Sequence, residues 1–159
     1  MTARQRILLV AGRSCAGKST MGRHLADEHE AYFVEASEVL GQVLGELPGA
    51  PHRTPPAGFA YGQVAGRIVE LLRKRDERLI VVSGLRTIPE YVRLVEHAPH
   101  TELVYVHAPL LLRFQRCQSR LRPDAVALPS AFRSLDANAE HSLLPVARDL
   151  ARYVLPNRG

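Results

Sequence analysis

Gly12-Arg13-Ser14-Cys15-Ala16-Gly17-Lys18-Ser19 follows the apolar run Ile7-Leu8-Leu9-Val10-Ala11 and leads into Thr20-Met21-Gly22-Arg23-His24-Leu25. The pattern is G-x-x-x-x-G-K-S between a buried strand and a helix, the context in which such a loop wraps backbone N–H groups around phosphate oxygens. The positive end of the following helix adds to that field. Gly12 and Gly17 are expected to supply backbone angles that side-chained residues resist. Gly12, Arg13, Ser14, Cys15, Ala16, Gly17, Lys18, Ser19 and Thr20 form the candidate nucleotide-binding set. Within it Lys18 is placed to reach the outer phosphates, Ser19 to hold Mg²⁺, and Thr20 offers a second, weaker hydroxyl. A glycine-rich turn that matches by accident is the competing reading. Lys18 and Lys74 are the two lysines among 21 lysine and arginine residues, so one of only two falls where the motif requires it.

A chain of 159 residues with 46% hydrophobic content fits one domain over 1–159 and can bury a sizeable core. The net charge of +5 favours acidic partners such as phosphates, nucleotides or nucleic acid. Most of the excess is arginine, which suits two-pronged recognition of phosphate. Two cysteines, Cys15 and Cys117, do not make a disulfide framework and neither has metal-ligand spacing. A reduced, cytoplasmic setting is therefore expected. The apolar segment near Met1 is too short to span a membrane and lacks a small-residue cleavage site, so neither a signal peptide nor a membrane partner is expected.

Along the chain, residues 7–11 do not alternate in polarity and predict a first strand buried on both faces. A helix is predicted over 17–30, a short strand over 32–35 and a helix over 36–47. Glu35 and Glu38 lie where the chain leaves that second strand, the ligand-facing edge of a doubly wound sheet; solvated helix-start charge is the alternative. Residues 47–58 are rich in proline and glycine and predict an exposed connector or a mobile substrate flap carrying His52 and Arg53. A helix over 60–74 follows. The histidines show no metal spacing.

Leu79-Ile80-Val81-Val82-Ser83 is the next fully buried strand, and it runs into Gly84-Leu85-Arg86-Thr87. A phosphate loop near the N-terminus and then a strand ending in Gly-x-Arg resembles the nucleoside monophosphate kinase group of P-loop proteins. The second half is similar to dephospho-CoA kinases and to a related family of nucleotide-kinase-like proteins. Val106-His107-Ala108-Pro109, Arg113-Phe114-Gln115-Arg116 and Arg120-Leu121-Arg122-Pro123-Asp124 follow that group's strand, helix and arginine-rich lid in order. Tyr153-Val154-Leu155-Pro156-Asn157 resembles its last strand and closing asparagine. The resemblance implies an α/β, three-layer P-loop fold with a parallel sheet of about five strands and helices on both faces. It also implies a lid-like segment at about 113–129, ATP as nucleoside triphosphate donor, Mg²⁺, and a small phosphorylated acceptor.

Phosphoryl transfer brings together anions that repel each other, so several cations must converge from different segments. Arg86, at the end of a central strand, is placed to clamp an acceptor phosphate, and Glu38 is the candidate acidic contact to the acceptor. Arg116 and Arg120 share one face of a helix predicted over 110–121, and with Arg122 they resemble lid arginines closing over the moving phosphate. An ordinary basic helix face is the competing reading. Three positions depart from the family: Ser83 stands where relatives commonly carry an acid, Gly41 where an arginine follows the second strand, and Ala151-Arg152 where relatives often have Ala-Asp.

The expected function is ATP-dependent phosphotransfer to a small phosphorylated acceptor, nucleotide or nucleotide-like. The alternatives are an ATP-binding accessory protein that has lost turnover, or a kinase of a modified nucleotide or nucleic acid. Nucleic acid is the less favoured partner, since a chain that is 6% aromatic, without an interleaved aromatic and basic stripe, offers no stacking platform. Beyond the lid, a helix over 130–140 is predicted to carry Asp136 and Glu140.

Overall fold

The computed structural model describes residues 5–47, 55, 58–120 and 143–158. Among them are five strands, β1 (Arg6–Ala11), β2 (Tyr32–Glu35), β3 (Leu79–Ser83), β4 (Glu102–His107) and β5 (Tyr153–Pro156). They form one sheet in the order β2-β3-β1-β4-β5, and every neighbouring pair is parallel. Parallel neighbours need crossovers, which helices supply here. The described helices are α1 (Lys18–Glu28), α2 (Ala36–Gly45), α3 (Gly62–Leu72), α4 (Ile88–His97), α5 (Leu110–Ser119) and α6 (Leu144–Leu150).

The unbroken apolar run of β1 is explained by its place at the centre of the sheet, with α1 on one face and α2, α3, α4 and α6 on the other. Ile7, Leu9 and Ala11 face a large cluster with Leu40, Ile68, Leu72 and Leu94, while Val10 faces the opposite way, with Ala26, Val81 and Val106. Each fully buried aliphatic side chain of this kind contributes roughly 1.5–3 kcal/mol. Because α1 leaves β1 on one face and α4 leaves neighbouring β3 on the other, a crevice opens between the carboxyl ends of these two strands.

The three-layer α/β fold expected from the sequence is the one observed, with helices somewhat shorter than their periodicity suggested. The sequence analysis did not anticipate α4 or α6. The start of α4 was legible: the Thr87 side chain accepts from the Glu90 backbone while Glu90 reaches back to the cap, with Pro89 in the first turn. Nearly all of the expected flap at 47–58, including His52 and Arg53, lies outside the described residues. So do Arg122, the 130–140 helix with Asp136 and Glu140, and most of the segment expected as a lid.

One expectation is overturned. Cys15 and Cys117, expected to be free, are joined in a disulfide across 102 residues of chain. Spacing gave no sign of it. The pairing arises because β1 and β4 are neighbours in the sheet, so the loop after β1 meets the helix after β4.

Candidate phosphate-binding and transfer site

The loop after β1 turns back on itself before entering α1. The Ala16 N–H donates to the Arg13 carbonyl at 3.1 Å, and Lys18 Nζ donates to the same carbonyl at 3.1 Å, folding the lysine over the loop. Gly17 has φ 94, a left-handed conformation that a side chain resists, and a Cβ there would run into the Asn157 amide. Gly12 behaves otherwise than expected: no left-handed angle is needed, and its role is close approach, since a Cβ would lie 2.6 Å from the Val106 carbonyl oxygen. Instead Cys15 takes a left-handed angle, φ 59. Ser19 and Thr20 are exposed in the first turn of α1, Ser14 is exposed, and Arg13 and Lys18 are half-buried.

The backbone of this loop is held from behind. Arg113, 5% exposed, donates through Nε to the Ala108 carbonyl at 3.1 Å and through Nη1 to the Ser14 carbonyl at 3.3 Å. Arg116 Nη1 reaches the carbonyls of Cys15 and Ala16, both at 3.5 Å. Asn157 Nδ2 donates to the Ala16 carbonyl at 2.9 Å, while its backbone N–H donates to His107 at 2.7 Å. Arg116 is thus brought to the loop, against its carbonyls. Arg120 lies exposed at the end of α5. No role was expected for Arg113, although it opens the Arg-Phe-Gln-Arg stretch. Only the approach of α5 to the loop shows why one arginine there is buried.

Across the crevice, β3 ends in Ser83-Gly84-Leu85-Arg86. The Arg86 side chain is exposed, and its backbone is fixed on both sides: its N–H donates to Glu90 Oε2 at 3.0 Å, and its carbonyl accepts from the Leu143 N–H at 2.8 Å. Burial pushes the Glu90 carboxyl above the usual range, against the pull of hydrogen bonds from Thr87 and Arg86. Glu38, the expected acceptor contact, sits exposed on α2 and pairs with Arg23 of α1 at 3.5 Å.

Position 83 carries no acid, but a carboxylate stands opposite it on the neighbouring strand. Glu35, at the end of β2, is the register partner of Ser83, and its Oε1 lies 2.5 Å from where a Cβ on Gly84 would stand. Its Oε2 and the Ser83 hydroxyl are buried and have no hydrogen-bond partner. Buried oxygens without partners are unusual and mark a place where a metal's water shell or a substrate hydroxyl would be welcome. With the Ser19 hydroxyl on the loop, these hard oxygen donors fit Mg²⁺ held largely through water. Among the described residues, no group of three or more histidine, cysteine, aspartate or glutamate side chains could hold a metal by itself.

A cleft of about 290 Å³ opens beside the loop, lined among others by Arg13, Ala16, His107, Arg113 and Arg148, so positive charge surrounds it. A larger hollow of about 410 Å³, bordered by Arg6, Leu25, His29, Glu102 and Tyr153, lies at the amino ends of the strands. Ligands in open parallel sheets bind at the carboxyl ends, the end at which the smaller cleft lies, beside Arg13 and Ala16 of the loop. No described helix is long and apolar enough to cross a membrane.

Solved structures similar to this chain include shikimate kinase from Acinetobacter baumannii in complex with shikimate, 23% identical, with a TM-score of 0.63 over 99% of this chain and 86% of that one. A gluconokinase from Sinorhizobium meliloti is 21% identical, with a TM-score of 0.63 over 98% of this chain and 83% of that one. At such identities the likeness shows the fold. No curated protein matches the chain. The sequence profile of a family described as an AAA domain matches residues 7–141, most of the chain. The chain belongs to that AAA-domain family, and it shares the fold of these solved small-molecule kinases.

Proposed function

We propose that the protein is an ATP- and Mg²⁺-dependent phosphotransferase acting on a small anionic acceptor. The observation that carries this reading is a phosphate loop carrying Lys18 after β1, together with half-buried Glu35, the register partner of Ser83 at the end of β2, with its Oε2 buried and without a hydrogen-bond partner. In this reading the loop N–H groups and Lys18 would hold the triphosphate of the donor, Ser19 would hold the metal, and Glu35 would meet the metal's water shell. Bound Mg²⁺ supplies charge neutralisation on the transferring phosphoryl group. Arg86 holds the acceptor's anionic group, and Arg116 and Arg120 supply positive charge from α5, with Arg122, outside the described residues, as a further candidate.

The acceptor expected from the sequence is phosphorylated, nucleotide or nucleotide-like. A second reading is a small hydroxylated acid, and Glu35 favours it. An acceptor phosphate is already ionised and needs no base, whereas a hydroxyl must lose its proton as it attacks. The hydroxyl oxygen then forms the new bond to the γ-phosphorus, the bond to the ADP oxygen breaks, and the proton passes to a Glu35 oxygen. The shikimate bound in one similar structure is compatible with this chemistry.

The test is ADP release from Mg²⁺-ATP with nucleoside monophosphates, dephospho-CoA, small hydroxy acids and a short DNA, each beside a Lys18→Ala control. Acceptor-dependent turnover that the control loses by about 10³-fold is the expected result. ATP binding without acceptor-dependent release in any arm would sink the kinase reading in favour of an accessory nucleotide-binding protein.

A further inference from the structure

The Cys15–Cys117 disulfide has no part in phosphoryl transfer, yet one of its sulfurs sits inside the phosphate loop. It ties that loop to α5, the helix whose Arg113 and Arg116 already grip the carbonyls of Ser14, Cys15 and Ala16. In a planar trans peptide the N–H points opposite the C=O. Holding the Ser14 and Ala16 carbonyls outward, towards Arg113, Arg116 and Asn157, therefore aims the N–H groups of Cys15 and Gly17 the other way. Cys15 holds this arrangement at φ 59, a conformation that a residue with a side chain resists. The covalent bond to α5 is one of the constraints that keep it there. Both cysteines are buried, at 4% and 6% exposed, in a small cluster with Phe114, so a reductant reaches the sulfurs only when the end of α5 moves away from the loop.

We propose that Cys15 and Cys117 form a reversible redox modification site coupled to occupancy of the phosphate loop. The disulfide form keeps the loop pre-organised and binds nucleoside triphosphate more tightly; the dithiol form lets residues 13–16 relax and binds it more weakly. The reductant class is a dithiol, protein or small molecule. Its thiolate attacks one sulfur and breaks the S–S bond, giving a mixed disulfide. Its second thiol then displaces the first cysteine. The pair gains two electrons and two protons while the reductant becomes a disulfide. Oxidation is the reverse exchange with such a disulfide. By linkage, nucleotide must favour the disulfide form by the factor by which the disulfide favours nucleotide.

The proposal rests on the phosphate-loop part of the proposed function and not on the acceptor. Its test uses the whole chain, oxidised by oxidised glutathione or reduced by dithiothreitol, beside Cys117→Ser. Intact mass after alkylation in denaturant is expected to show no free thiol in the oxidised wild type and two in the reduced form. Amides of residues 13–18 and 110–119 are expected to exchange faster after reduction, with no such change in Cys117→Ser. Mg²⁺-ATP is expected to bind about tenfold more tightly to the oxidised form, and saturating nucleotide to lower the midpoint potential by about 30 mV, the equivalent of that tenfold for a two-electron couple. Two free thiols after oxidation, or equal exchange in both states, overturns the proposal. So does equal nucleotide affinity in both states. If neither state binds nucleotide, the proposed function fails by itself. The coupling of loop to α5 is then still decided by the exchange rates, supported if they rise on reduction and overturned if they do not.

Discussion

Glu35 and Ser83 stand opposite each other in the β2–β3 register, and each carries a buried side-chain oxygen without a hydrogen-bond partner. Leaving buried oxygens unsatisfied costs about 1–3 kcal/mol each, a cost more easily understood where a ligand completes the set. Glu35→Gln keeps the shape but removes the charge and the proton acceptor. Turnover is expected to fall by about 10²–10⁴-fold, with the folded state unharmed or slightly stabilised. Steady-state rates with Mg²⁺-ATP, read beside urea unfolding, check it. A variant with undiminished turnover would remove Glu35 from the transfer step.

Gly84 makes room for that carboxylate. It has φ 87, and a Cβ there would lie 2.5 Å from Glu35 Oε1, so Gly84→Ala meets both backbone strain and a clash. A loss of about 1–3 kcal/mol in stability is expected from the backbone angle alone. Displacement of the carboxylate should lower turnover as well. Combining Gly84→Ala with Glu35→Ala relieves the clash but not the strain, so the double variant is expected to recover part of the lost stability. Thermal unfolding of the two single variants and the double variant separates the contributions.

Arg113 and Arg116 lie three residues apart on α5 and are expected to fail in different ways. Arg113 is buried and bonds two carbonyls, so Arg113→Ala leaves the carbonyls of Ser14 and Ala108 without that partner. It is expected to cost about 2–4 kcal/mol of stability. Arg116 is half-buried with two long contacts, so Arg116→Ala is expected to change stability by less than about 1 kcal/mol and to lower kcat by about 10²-fold. Denaturation and rate measurements on the same preparations distinguish the two patterns.

The sheet was legible because Ile7–Ala11 of β1 and Leu79–Val82 of β3 are unbroken apolar runs, a pattern that burial on both faces explains. The loop was legible because its backbone geometry requires glycine and lysine at fixed spacing. What escaped depends on contacts between distant segments. Glu35 was legible as an acid at the ligand-facing end of β2, but its place opposite Ser83 depends on the pairing of β2 with β3, which nothing local to Val34-Glu35-Ala36 announces. Cys15 and Cys117 meet only because β1 and β4 are neighbours. Arg113 and Arg116 look alike in sequence, and the approach of α5 to the loop decides which is buried. Glu90 was legible in principle, since Thr87-Ile88-Pro89-Glu90 carries a helix-start signature.

Glu90 gives a prediction in which pH carries the sign. Its Oε2 accepts from the Arg86 N–H at 3.0 Å, the Thr87 N–H at 2.8 Å and Thr87 Oγ1 at 2.8 Å, and the residue is 2% exposed. Burial raises the carboxyl above its ordinary value of 4.5 and outweighs the opposing hydrogen bonds. A folded-state pKa above the unfolded one means that the folded protein holds this proton more tightly. The stabilisation from Glu90 is therefore fully present below the unfolded pKa and is lost as pH rises through the folded value. Glu90→Gln does not titrate and keeps one acceptor oxygen for the same donors. The stability of the wild type relative to Glu90→Gln is expected to be greatest near pH 4 and to decline towards pH 8, as read by urea unfolding at a series of pH values. A difference that grows with pH would mean that the hydrogen bonds from Arg86 and Thr87 stabilise the carboxylate more than burial opposes it. Because the same oxygen holds the Arg86 backbone, Glu90→Gln is also expected to raise KM for the acceptor while leaving ATP affinity unchanged. A purely structural cap would leave the acceptor KM where it was.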